Sequence, residues 1–421
     1  MAANNRIFYA CQMVGLAKSG HVATHSTVID VDGNPGTDKM YVAHGVQSVG
    51  ITTNFNLEQA FELGQIHIYE NIEGLPDVEV TMEKVLDGYE LLYHLAAPAP
   101  ESVGLVGRSK ERCDLSLGIY SDAFDSVTDS GQSAVATGDA AYGKPPVEVW
   151  CSGMYIGSIS YTVPVDGNCT ESITLQGNNK EWIIDKTKMH ISTDSEKFGK
   201  QENYSNTTVP DAPRALTQAS GGIQRRENVR MQKCIFPQGI YGIAQNTTAG
   251  NNVSDDGSPS VHMQNVSIST DFSREDILEL GAKTPYFRAP GFPIEVTCDI
   301  EAIAISGDFI GAYEAGDPRF FGAGATPGGA VDFSASGDNT SEETIKIVLM
   351  DGTCFDLGAS NRLSSVSYGG GDATGGNVSI SYSYTNFNEL DVLHFHDPAR
   401  DLKYTTNQKT DTDPWLSAYP T

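Results

Sequence analysis

No stretch of this chain approaches the run of about 20 apolar residues that a helix needs to cross a bilayer. Positive charge is scarce as well. Lys and Arg number 27 against 54 Asp and Glu, and the formal net charge of −27 predicts repulsion from nucleic acid and anionic membranes. Cysteines are few and badly spaced for metal or disulfide work. Cys11, Cys113, Cys151, Cys169, Cys234, Cys298 and Cys354 are odd in number and contain no CxxC, so free thiols in a reducing cytoplasm are expected. The three tryptophans, Trp150, Trp182 and Trp415, do not cluster, which weakens the case for an aromatic carbohydrate platform. No Gly-x-Ser-x-Gly elbow stands in a strand-to-helix setting. Gly369, Gly370 and Gly371 precede no P-loop lysine.

The remaining chemical candidates are weak on spacing. In "HFHD", His394 and His396 would share one face of a strand, but no third ligand is evident. "DVDGNPGTD" alternates Asp30, Asp32 and Asn34 like a calcium loop. Pro35 stands where the loop glycine belongs and Tyr41 where the closing glutamate belongs, so a polar turn is expected. Glu79 and Glu83 share a strand face, as do Glu295 and Asp299. At about 3.3 Å per residue each pair spans roughly 13 Å, beyond the 5 to 9.5 Å of glycosidase carboxylates. No titratable cluster is common to both halves of the chain. No catalytic residue, metal site or cofactor is expected, and the chain reads as a non-enzyme.

What is present is repetition. Apolar residues make up 39%, with 43 glycines and 19 prolines, a globular and turn-rich balance that favours β-structure. "VQSVGITTNFNLEQAFELG" (46–64) returns as "MQNVSISTDFSREDILELG" (263–281), and about 12 of 31 positions between Val46 and Pro76 are identical at an offset of 217. The match resumes with "VEVTME" (78–83) facing "IEVTCD" (294–299). "RIFYACQMVGLAK" could imitate a signal peptide, yet "IFPQGIYGIA" (235–244) repeats its outline in mid-chain, so a strand opening each repeat is expected. The implied organisation is a first domain at 1–190, a polar connector at 191–227, a second domain at 228–400 and a C-terminal arm at 401–421.

Within the block, Val49, Ile51, Thr53 and Phe55 alternate with Ser48, Gly50, Thr52 and Asn54, the period of a strand with one buried and one wet face. Copy two keeps the rule. A short helix is expected next, capped by Asn56 or Ser273 and ended by Gly64 or Gly281. After a turn at Gly74–Pro76 or Gly291–Pro293 another alternating strand begins. The fold class is therefore mainly β: two tandem β-sandwich or half-barrel domains, each with a short flanking α-helix.

A polar-faced strand running into a short capped helix that ends in Glu-Leu-Gly, then a turn, a strand of the "VEVTMEKVLDG" kind and a polar hairpin ending in "ITLQGNNKEW", together resemble the tail tube protein of long-tailed bacteriophages. The resemblance covers both repeats; copy two has no "GNNKEW" segment. It implies a β-sandwich whose inner sheet joins its neighbours in a closed barrel, with rings that stack through loops and terminal arms. Two fused domains would make the ring a trimer with pseudo-six-fold symmetry. Implied partners are further copies of the chain and other tail proteins (tape measure, baseplate or hub, terminator, sheath). Phage DNA would pass through without sequence-specific binding or membrane insertion. The implied location is the virion tail, assembled in the host cytoplasm. Glu79, Thr81, Glu83, Glu295, Thr297 and Asp299 form the candidate acidic lumen face, with a solvated outer face as the alternative. The competing functional readings are a carbohydrate- or receptor-binding β-sandwich and a terminator or baseplate ring.

Overall fold

The computed structural model describes residues 12–19, 41–43, 45–64, 66, 68–88, 91–97, 104–119, 147–185, 188–190, 223–230, 234–237, 262–303, 342–369 and 378–393. In chain order the first part holds β1 (Gln12–Lys18), β2 (Tyr41–Val42), β3 (Val46–Asn54), β4 (Leu57–Phe61), β5 (Ile68–Glu73) and β6 (Asp77–Val85). The short helices α1 (Leu92–Ala96) and α2 (Leu105–Arg108) follow, then β7 (Cys113–Ile119), β8 (Val147–Pro164), β9 (Thr170–Gly177) and β10 (Asn179–Ile183). The second part holds β11 (His262–Asp271), β12 (Glu275–Ile277), β13 (Phe287–Ala289), β14 (Glu295–Ile303) and β15 (Lys346–Val348). It ends with β16 (Cys354–Asp356), β17 (Arg362–Gly369), β18 (Ser379–Phe387) and β19 (Asp391–Leu393). The protein is mainly β, and neither helix is long enough to span a membrane.

Eight strands run side by side, all antiparallel, in the order β3-β6-β9-β8-β11-β14-β18-β17. The first four come from the N-terminal part and the last four from the C-terminal part. The two quartets are wired alike. β3 and β11 each carry a bulge near the far end of their ladders, at Val46/Ser48 and Met263/Asn265. β8 and β17 each carry one between Ile156 and Ser158 or Leu363 and Ser365. Such bulges bend a strand and fix its register.

β8 is long enough to serve two layers. Its second half lies in the eight-stranded run, while its first half pairs with β7 and β10. The bend falls at Gly153, whose φ of 66° is a left-handed conformation that suits glycine, and whose N–H donates to Asp114 Oδ1 at 2.8 Å. β1, β2 and β7 complete this outer layer, and β15-β16-β19 form a smaller three-stranded sheet. Period-two patterning decides which side chains meet between the layers. Val80, Met82, Ile173 and Leu175 join Leu16, Leu115, Val149 and Cys151 in one hydrophobic cluster, which continues through Ile268, Val296, Tyr384 and Phe355. The six described cysteines are all buried and free.

α1 has no side-chain cap of its own. Its first N–H groups are satisfied from the sheet: Leu92 and Tyr93 donate to the buried Glu171 carboxylate at 2.6 and 3.0 Å, and the Tyr161 hydroxyl donates to it at 3.0 Å. Across the molecule, His94 Nε2 lies 2.9 Å from the Val392 carbonyl, tying α1 to the three-stranded sheet.

The helices expected at 56–64 and 273–281 are hairpins instead. Leu57–Phe61 pairs with Ile68–Glu73, and Glu275–Ile277 with Phe287–Ala289. Asn56 and Ser273 are not caps. Their φ values of 44° and 42° turn the chain out of the large sheet, whereas a helix cap has extended backbone. Among the described residues, Leu57, Phe61 and Leu63 find no core to pack against, so a helix this short lacks the tertiary support it needs. Pairing with the returning strand satisfies the backbone. The short helices α1 and α2 lie after β6, away from the positions where helices were expected. His394–Asp397, Asp30–Asp38, nearly all of the connector and the arm at 401–421 lie outside the described residues.

Candidate functional site

One face of the eight-stranded run covers the core, and the other is open and almost wholly polar. A row straight across it reads Ser48, Glu83, Ser172, Ser160, Ser269, Thr297 and Thr385, ending at Arg362. The side-chain period of two places small hydroxyls on this face along every strand, such as Thr174 on β9, Thr162 on β8, Ser381 on β18 and Ser367 on β17. Ser269, Asp271, Glu295 and Thr297 line a depression that extends over Ser158 and Ser172.

Carboxylates are concentrated on two strands four places apart, β6 and β14. Glu79, Thr81 and Glu83 alternate with buried Val80 and Met82 and point to the open face. Glu295 and Asp299 are exposed there and Thr297 half-buried, alternating with buried Val296 and Cys298. The structure thus brings all six sequence-selected residues onto one face. Asp299 accepts a hydrogen bond from the Ser383 hydroxyl, and the Ser269 and Thr297 hydroxyls are 2.7 Å apart. Glu301 also lies on this face, which the sequence reading missed. Among the described residues the one cation beside these rows is Arg362, at the sheet edge, 3.0 Å from Glu342.

Ladder register moves the match between quartets. Thr52 pairs with Glu79 and Ser269 pairs with Thr297. If Thr52 and Ser269 occupy equivalent places, the partner of Glu79 is Thr297 and not Glu295. The other matches become Thr81 with Asp299 and Glu83 with Glu301. One residue more in the second turn, Ile294, accounts for part of the shift. The displacement is even, so every side chain keeps its face.

Apolar exposure gathers at the two hairpins and the sheet edges. Leu63, Ile66 and Leu280 at the hairpin tips are fully exposed, and Phe61, Leu278 and Tyr286 are mostly so. β3 and β17 have no partner on their outer sides among the described residues. Their core-side residues are less covered than the residues at the join between the quartets. Phe55 is 64% exposed against 0% for Phe272, and Tyr368 is 54% exposed against 1% for Tyr161.

The join itself is closed by arginine. Arg274 lies over the rings of Tyr155 and Phe272, 4.8 and 5.3 Å from their centroids, and donates to the Ser109 carbonyl at 2.6 Å. Burial pulls its pKa down to about 10. Arg288 grips Asp276 through two nitrogens and reaches Asp77 and Asn178. Among the described residues, no group of three or more His, Cys, Asp or Glu is placed to hold a metal ion.

No protein-family model and no curated protein matches this sequence. Among solved structures, the chain is similar to the tube-terminating cap of the anti-feeding prophage, at 11% identity over 44% of this chain and 95% of that one, with a TM-score of 0.27. It is similar to a chain of the sheath–tube complex of an extracellular contractile injection system in its extended state, at 10% identity over 44% and 95%, TM-score 0.27. A sheath/tube terminator of such a system gives 12% identity over 43% and 99%, TM-score 0.26. Overlaps at these scores are too loose to carry an argument about architecture or function.

Proposed function

We propose that this protein is a structural subunit of a phage-type tail tube, built of two tandem copies of one domain, and that its open sheet face lines a conduit for DNA. The observation that carries the reading is that face: eight antiparallel strands, hydroxyl-rich throughout, with acids on β6 and β14 and, among the described residues, one arginine at its edge. A surface of small polar groups with like charge repels a polyanion and offers it no phosphate contacts, so DNA slides without being held. The recurrent wiring and bulges of the quartets support the duplicated-domain reading. Three chains in a ring then present six equivalent quartets. The chain acts as scaffold and performs no catalysis.

The hairpins supply the axial contacts. Exposed apolar tips on both, Leu63 with Ile66 and Leu278 with Leu280, are costly on a solitary protein and mark a surface meant for a partner. Electron microscopy of the purified chain across a concentration series tests the proposal. Hollow tubes or stacked rings are expected. A chain that stays monomeric at every concentration and binds glycans would favour the receptor-binding reading, and single unstacked rings the terminator reading.

A further inference from the structure

Resting on the ring reading above, we infer that the exposed edge of β17 adds directly to the β3 edge of a second copy of this chain, in the register of the internal join between β8 and β11. β17 is the structural counterpart of β8: the same bulge is followed by Ser158, Ile159, Ser160 and Tyr161 in one and by Ser365, Val366, Ser367 and Tyr368 in the other. β3 is the counterpart of β11 through the repeat and its shared bulge. Inside the chain, Ser160 pairs with Ser269 and Tyr161 with Ile268. Transferred to the chain ends, Ser367 pairs with Thr52 of the second copy and Tyr368 with its Ile51.

Three observations favour this partner over any other. First, β3 and β17 run in opposite directions at the two ends of an alternating sheet, so their pairing continues the antiparallel order. Second, the register keeps both faces consistent: Ser367 and Thr52 fall on the open face, Tyr368 and Ile51 on the core side. Third, the side chains left bare at the edges, Phe55 and Tyr368, are the counterparts of Phe272 and Tyr161, which the internal join covers completely.

The same comparison shows how the contact between chains differs from the one within. At the internal join Arg274 comes from the β11 side and lies over Tyr155 and Phe272. At the chain ends Leu57 stands in place of Arg274 and Arg362 in place of Tyr155. The cation therefore comes from the opposite side of the contact, from Arg362 on β17. The exchange keeps one arginine at each contact but draws it from opposite partners, which makes the two contacts chemically distinct.

The test is a paired-cysteine experiment on the full chain. Thr52→Cys with Ser367→Cys places thiols directly opposite, within the Cα separation a disulfide accepts, whereas Thr52→Cys with Ser365→Cys puts them on a diagonal roughly 7 Å apart. The native cysteines of the described residues are buried and do not compete. After oxidation, micrographs and non-reducing gels are read together. Tubes or rings with covalent multimers from the first pair and not the second support the inference. Tubes or rings without that bridge, or with the diagonal pair bridged better, overturn it and leave the tube reading standing. Bridged multimers without rings uphold the strand addition and count against the tube. Neither bridges nor assemblies would overturn both. A second variant, Phe55→Ser, should raise the concentration needed for assembly roughly 10- to 100-fold while far-ultraviolet circular dichroism stays unchanged. Assembly at the parent concentration would contradict the contact.

Discussion

Asp351 shows how a single buried group sets a measurable property. Burial pushes its carboxyl up to about 6 from an ordinary value of 3.8, against the opposing effect of hydrogen bonds donated by the Thr353 N–H and hydroxyl. The folded chain holds this proton more tightly than the unfolded one, so stability falls as pH rises from about 4 to 6 and levels off above. At roughly 1.4 kcal/mol per pH unit, the ionised carboxylate costs the fold on the order of 3 kcal/mol. Asp351→Asn is expected to flatten that decline, read as a smaller difference between thermal midpoints at pH 4.5 and pH 7. An undiminished difference would place the titration elsewhere. Burial raises Glu171 in the same direction, so some slope should remain in the variant. Neither residue was legible in the sequence, because burial of a lone carboxylate leaves no local pattern.

Among the elements, the strands were readable and the hairpins were not. Val49, Ile51 and Thr53, like Val78, Val80 and Met82, alternate because one face meets the core, and the structure keeps that parity. The segment 57–63 carries Leu57, Ala60 and Phe61 at helical spacing, with a polar residue before it and a glycine after it. What overrode the pattern is that, among the described residues, nothing covers that face: Leu57, Phe61 and Leu63 stay exposed. An apolar periodicity left exposed in the folded chain looks the same in sequence as one covered by the core. Leu63→Asp with Leu280→Asp should therefore leave the monomer within about 0.5 kcal/mol of the parent's stability, because both side chains are fully exposed. The same variant should form rings that fail to stack. Normal tubes from it would remove the hairpin tips from the axial contact.

For the whole molecule, the acidic balance and the repeat pointed to strands with one polar, acid-bearing face, and the ladder registers supplied what the sequence could not. The repeat alignment paired Glu79 with Glu295; strand pairing opposite Thr52 and Ser269 pairs Glu79 with Thr297. Sequence identity favoured the other frame, since Glu-Val-Thr stands in both copies, and an alternating strand keeps its polar face under a two-residue shift. If the open face lines the lumen, replacing Glu79, Glu83, Glu295 and Asp299 by lysine should leave assembly intact and turn a surface that ignores DNA into one that retains it. A filter-binding assay on assembled tubes reads this as salt-sensitive retention. Parent-like indifference to DNA would place those residues on the outside.

The central claim is that the eight-stranded run closes on itself through copies of the chain, with the acidic face inward. An electron cryomicroscopy reconstruction of the assembled protein measures this directly. The account predicts a ring of three chains around one continuous barrel, β17 of each paired with β3 of the next, and β6 and β14 turning their carboxylates toward the channel. A ring whose inner wall is formed by other strands, or whose acidic face looks outward, would contradict it.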